Sequence, residues 1–186
     1  MEDCQKPFIM NKIKPGVIPS FTKPIALIGF MGAGKSTVGR ILADKLYIDF
    51  IDLDELIEKK TGKTINEIFS KEGEAGFRKI ESEILLSISD TDTLILATGG
   101  GTPLQHSNRQ FFSCRVHTFY LKLSFKTFWE RTKGDCKRPL LKKNYLELMD
   151  LFNNRCPVYR ELGICIDTDG KSPEAVADKL FNMLFE

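Results

Sequence analysis

The stretch Leu27–Thr37, LIGFMGAGKST, decides how the rest of the chain is read. It fits G-x-x-x-x-G-K-S/T, with Gly29, Gly34, Lys35 and Ser36 in register. The apolar IALI before it reads as a strand, and the residues from Lys35 onward read as a helix. Glycines between the two let successive backbone N–H groups turn inward around an anion, and the helix adds its positive N-terminal end. Gly32, Ala33, Gly34, Lys35, Ser36 and Thr37 are therefore the expected triphosphate cradle. Lys35 supplies a mobile point charge for the β- and γ-phosphates, and the Ser36 hydroxyl is suited to Mg²⁺.

Outward from the cradle, short apolar runs alternate with amphipathic stretches. IALIG, YIDFID, LILAT, HTFYLKL and GICID read as strands, each followed by a helical pattern. That alternation predicts an α/β fold, a parallel sheet with helices on both faces. Thr64–Ser89 is the longest helical stretch, and Gly73 and Gly76 predict a bend or break in it. Residues 1–24 carry Pro15, Pro19 and Pro24 and no sustained period, so they read as a flexible leader before one domain.

The bulk properties exclude several classes. A length of 186 residues suits one well-buried domain. A balance of 27 basic against 25 acidic residues leaves +2, too even to predict a nucleic-acid or anionic-membrane surface. No run approaches the ~18 apolar residues of a membrane span. Five scattered cysteines without C-x-x-C predict free thiols in a reducing compartment, and the start lacks signal- or transit-peptide character, so a cytoplasmic location is expected.

Three classes of phosphate-loop protein compete: a small-molecule kinase, a GTPase switch and a nucleotide-dependent binding module. TKGD at Thr132–Asp135 and DTDG at Asp167–Gly170 imitate GTPase motifs, but their order along the chain is reversed. On the acceptor side, FIDLDELIE places Asp52 and Asp54 two residues apart at a strand end, where period-2 alternation points both carboxylates one way. One acid is then placed to hold hydrated Mg²⁺ through water, the other to orient or deprotonate a substrate hydroxyl. Helix-dipole compensation is the competing reading of such acids, and it does not explain two aligned carboxylates. GFRKIESE sets Arg78 and Glu81 three apart on one helix face, by itself an ordinary ion pair. LATGGGTP lets bare backbone at Gly99, Gly100 and Gly101 approach a ligand, or simply makes a tight turn.

Taken in order, GFMGAGKST, FIDLDELIE, FRKIE, GGG, RPLL, RCPVYRE and DTDGKSP resemble the shikimate kinases over about Ile25 to the C-terminus. The resemblance implies a phosphate-loop fold similar to the nucleoside monophosphate kinases. It carries a five-stranded parallel sheet, an acceptor-binding subdomain near residues 52–90 and a mobile lid near residues 131–145. It implies ATP- and Mg²⁺-dependent phosphorylation of the 3-hydroxyl of shikimate, a step toward chorismate and the aromatic amino acids, by a monomer without nucleic-acid or membrane partners.

Carried onto this chain, the resemblance assigns phosphate binding to Lys35 and metal binding to Ser36 and, through water, Asp52. Asp54 would address the reacting hydroxyl. Arg78, Arg155 and the backbone of Gly99–Gly101 would grip the acid, with Glu81 bracing Arg78. Arg138 would swing over the transferred phosphoryl group, while Arg131 and Lys171 would flank adenine. Thr102 and Pro103 depart from the family's pattern after the triple glycine, and the segment from Arg138 to Arg155 is short. Transfer to another small hydroxy acid or a nucleoside monophosphate, and nucleotide binding without catalysis, are the alternatives.

Overall fold

The computed structural model describes residues 23–133 and 144–185. Arg138 and most of the expected lid and leader lie outside the described residues. Five strands, β1 (Ile25–Ile28), β2 (Asp49–Asp52), β3 (Leu94–Ala97), β4 (His117–Lys122) and β5 (Ile164–Asp167), form one sheet in the order β2-β3-β1-β4-β5. All neighbouring strands pair in parallel. β1 and β3 are buried along their whole length, which is why they read as unbroken apolar runs rather than alternating ones. β5, at one edge, buries only Ile166.

Between the strands lie α1 (Lys35–Leu46), α2 (Leu53–Thr61), α3 (Ile65–Leu86), α4 (His106–Gln110), α5 (Phe125–Thr132) and α6 (Tyr145–Leu162), with α7 (Pro173–Phe185) closing the chain. The step from β1 to β2 runs one way across the sheet, whereas β2 to β3, β3 to β4 and β4 to β5 run the other. Right-handed crossovers therefore put α1 on one face and α3 to α6 on the other. The pairing of α1 with α7, and of α3 with α4, follows that division.

The helix expected over Thr64–Ser89 forms as α3, closed at its start by a reciprocal capping box between Thr64 and Glu67. Its bend sits at Gly73, at φ 70° and ψ −177°, while Gly76 stays helical. Cys156 and Cys165 are free thiols as expected, whereas Cys114, part-buried in the helical segment Phe111–Arg115 before β4, is disulfide-bonded, a correction to the free-thiol reading. Spacing alone does not report such pairing. Among the described residues no helix is long and apolar enough to cross a membrane.

The sheet order carries a functional consequence. β1 and β3 are neighbours while their following connections leave on opposite faces, so a crevice opens at their carboxyl ends, the place where ligands enter open α/β sheets.

Candidate active site

The phosphate loop leaves β1 at Gly29 and delivers the chain into α1 through backbone that only glycine adopts easily: φ is 142° at Gly29, 75° at Gly32 and 88° at Gly34. Gly34 is the N-cap of α1 and has no side chain to satisfy the helix's first N–H groups, which stay directed at the loop's hollow. Ala33 and Val38 anchor the loop in the core. Lys35 Nζ donates to the carbonyls of Gly29 at 2.8 Å and Phe30 at 3.0 Å, so the ammonium is held across the loop mouth. Thr37, one residue beyond Ser36, is exposed.

Ser36 Oγ donates to Asp52 Oδ2 at 2.6 Å, joining the start of α1 to the end of β2. Asp52 Oδ1 in turn accepts from the backbone N–H of Asp54 at 3.1 Å, making Asp52 the N-cap of α2. This corrects the strand-alternation argument for the two acids. β2 ends at Asp52, and Asp54 stands in the first helical turn, so a cap and not a pleat sets their relation. The hydroxyl and carboxylate form a pair of hard oxygen donors of the kind Mg²⁺ takes from a protein when phosphates and water supply the rest.

Asp54 opens on the solvent of the cleft but is crowded by protein around its base. Desolvation, then the charges of Asp52 and Glu81, push its pKa up from 3.8 to about 6, against the opposing pull of Lys35 and Arg78. A carboxylate at that value suits proton abstraction near neutral pH.

Across the crevice α3 presents Arg78 and Glu81. Glu81 is completely buried, and its Oε2 accepts from Arg78 Nη1 at 2.9 Å. The pair is thus not the exposed ion pair that the spacing alone suggests. Glu74 holds a second guanidinium nitrogen at 3.3 Å, and Phe77 lies 5.2 Å beneath the cation. Burial alone would lower the Arg78 pKa, but its partners Glu81 and Glu74 raise it, so the group stays cationic. Its buried Nε has no hydrogen-bond partner, leaving unused donor capacity in a planar fork suited to a carboxylate.

The triple-glycine turn brings these groups together. A Cβ on Gly101 would fall within the Arg78 guanidinium, its carbon included at 2.6 Å, so only glycine lets the cation lie against the turn. A Cβ on Gly99 would meet Glu81 Oε1 at 3.1 Å, Thr102 Oγ1 at 3.1 Å and Asp54 Oδ1 at 3.3 Å. The Gly100 carbonyl accepts from the Tyr159 hydroxyl.

Arg155, on α6, is 8% exposed, with its guanidinium carbon 5.9 Å from the Phe30 ring centre. Its Nε is likewise buried and unpartnered. Tyr159, one turn further along α6, feels the charges of Arg155 and Arg78, so one phenol lies near both arginines. Sequence reading assigned Tyr159 no role. Its position four residues after Arg155, on the same helix face, was the available signal.

Beyond the carboxyl end of β5, Arg131 donates to the Gly32 carbonyl at 3.2 Å and to the Thr168 carbonyl at 3.3 Å, tying the phosphate loop to the β5–α7 connection. Lys171 is exposed and folds onto Asp167, 2.8 Å from its carbonyl. Asp169 caps the same region by accepting from the Ser124 N–H at 3.0 Å. Of the expected site residues, only Arg138 lies outside the described residues. Lys35, Ser36, Asp52, Asp54, Arg78, Gly99, Gly100, Gly101 and Arg155 gather at the carboxyl ends of β1, β2 and β3 with Glu81 buried behind them, and Arg131 and Lys171 stand beside the β5–α7 connection.

The chain is similar to known proteins over most of its length. The shikimate kinase family model matches residues 31–185. Shikimate kinase from Thermodesulfovibrio yellowstonii is 44% identical over 160 residues, covering 85% of this chain and 92% of that protein. The enzyme from Legionella pneumophila strain Corby is 43% identical over 164 residues, covering 87% and 94%. Shikimate kinase from Acinetobacter baumannii in complex with shikimate superposes with a TM-score of 0.83 at 41% identity, over 89% of this chain and 94% of that one. A deoxyadenosine kinase from M. mycoides with bound dATP, at 15% identity and a TM-score of 0.61 over 88% and 100% of the two chains, shares the fold alone. With its phosphate loop, paired acids and glycine-backed arginine set in that frame, the chain belongs to the shikimate kinase family.

Proposed function

We propose that the chain transfers the γ-phosphoryl group of ATP to the 3-hydroxyl of shikimate, giving shikimate 3-phosphate and ADP. The observation that carries this reading is the meeting, at one crevice, of a phosphate loop with a carboxylate of raised pKa and a cation pinned to a triple-glycine turn. One side suits a triphosphate. The other suits a small alcohol bearing a carboxylate.

Lys35 and the N–H groups at the start of α1 bind and orient the β- and γ-phosphates. Ser36 and Asp52 would hold Mg²⁺, which when bound supplies charge neutralisation between the phosphates. Arg78 forks onto the shikimate carboxylate and Arg155 adds a second cation, while Asp54 accepts the hydrogen bond of the reacting hydroxyl and takes its proton as the oxygen attacks phosphorus. The phosphorus–oxygen bond to ADP breaks as the new ester forms, and its electron pair departs on the ADP oxygen. Phosphoryl transfer asks little covalent chemistry of a protein, so alignment and electrostatics account for most of the acceleration. Arg131 and Lys171 border the nucleoside, and Arg138 supplies a further cation to the transferred group. The enzyme acts as a cytoplasmic monomer on this reading.

The test is ADP formation with shikimate, gluconate or a nucleoside monophosphate as acceptor, with identification of the product. Shikimate-dependent release with one phosphoester per ADP is expected. Faster turnover with either other acceptor, or nucleotide binding without ADP release, would overturn the assignment.

A further inference from the structure

Behind the groups that face the crevice, Glu81 presents a problem. It is a fully buried carboxylate with two oxygens, and Arg78 occupies only one of them. Leaving the other unsatisfied would incur the desolvation cost of a buried, unpaired acceptor and loosen the hold on Arg78. The second oxygen, Oε1, accepts from Thr102 Oγ1 at 2.6 Å. Thr102 is itself completely buried.

Its backbone is fixed at both ends. The Thr102 N–H donates to the Gly99 carbonyl at 3.2 Å, and the Thr102 carbonyl accepts from Asn108 Nδ2, also fully buried, at 3.0 Å. The threonine hydroxyl therefore has one place to point. A continuous set of hydrogen bonds runs from Asn108 through Thr102 and Glu81 to the guanidinium of Arg78. The same turn carries Gly101 against that guanidinium.

We propose that Thr102 is a positioning residue for the acceptor, acting through Glu81 to hold Arg78 in the orientation that receives the substrate carboxylate. The Thr102 hydroxyl is committed to Glu81, so its effect is confined to the acceptor half of the crevice. The inference rests on the reading of this pocket as the shikimate site.

Three variants test it. Thr102→Val keeps the volume and removes the donor, Thr102→Ala removes the donor and leaves room for water, and Thr102→Ser restores the hydroxyl without the methyl group. The expected result is a shikimate KM raised about tenfold in the valine variant, with kcat and the ATP KM within about twofold of wild type and the serine variant restoring shikimate KM. If the valine variant does not fold, the alanine and serine variants carry the same comparison. A shikimate KM unchanged in the donor-less variants would overturn the proposal. So would parallel increases in the ATP and shikimate KM values, or a serine variant no better than alanine. Failure of the wild-type protein to phosphorylate shikimate would instead strike at the functional assignment itself.

Discussion

At the scale of single residues the chemistry turns on Asp54. Its position near the charges of Asp52 and Glu81, in a partly desolvated cleft, lifts its pKa to about 6. The acid limb of kcat/KM for shikimate is therefore expected near pH 6 in the free enzyme, where protonation removes the acceptor for the substrate's proton. Asp54→Asn should keep ATP affinity, lower kcat by about 100-fold or more and abolish that limb. Rate profiles between pH 5 and pH 9 check this. A surviving limb near pH 6 in the variant would assign the titration to another group. Little of this was legible beforehand: Asp54 could be named from the spacing of acids at a strand end, but its pKa depends on Glu81, which only folding brings near.

At the scale of elements, the crevice is built from ends of helices and turns rather than from strand faces. Asp52 joins two of them, capping α2 with one oxygen and receiving Ser36 of α1 on the other. Asp52→Ala should cost about 1 kcal/mol of stability through loss of the cap, whereas Asp52→Asn keeps a competent cap. Both should need more Mg²⁺ for half-maximal rate. Thermal melts beside Mg²⁺ titrations separate the two roles, and equal melting of the two variants would argue against the cap. The triple-glycine turn makes a different demand. In Gly101→Ala the new methyl group meets the Arg78 guanidinium, so shikimate KM should rise about tenfold or more while ATP KM changes little. Five strands and the bend in α3 were readable because apolar runs and glycines act locally. The capping role of Asp52 was not, because alternation along a strand and capping of a helix predict the same two acids and differ only in where the strand stops. Arg78 with Glu81 likewise read as a surface pair, since three-residue spacing says nothing about the depth at which the helix face is buried.

At the scale of the molecule, a site suited to anions carries a stability cost before its ligands arrive. The folded-state pKa of Asp54 is raised above its ordinary 3.8, so the native protein binds this proton more tightly than the unfolded chain does. The linkage has a definite sign: the cost of ionised Asp54 is absent below about pH 4, grows as pH rises through about 6 and is complete above it. Ligand-free Asp54→Asn should accordingly melt above wild type at pH 8 and with it at pH 4, measured by calorimetry at both values. A variant less stable than wild type at pH 8 would contradict that sign. The α/β class, the phosphate loop and the order of its partners were legible across most of the chain because each rests on short stretches with a mechanism of their own. What remained hidden, Thr102 on Glu81 and Tyr159 near Arg78, consists of contacts between segments far apart in sequence.

The central claim is that a glycine-backed, glutamate-pinned Arg78 reads a carboxylate on the acceptor while Asp54 addresses its hydroxyl. Its most direct measurement is kcat/KM for shikimate and for its uncharged carboxamide, with wild-type enzyme and with Arg78→Ala. The account predicts a loss of about 100-fold for the carboxamide on the wild-type enzyme and almost no further loss on the variant, because the contact is already gone. A carboxamide used as well as shikimate by the wild-type enzyme, or penalised equally by both enzymes, would contradict it.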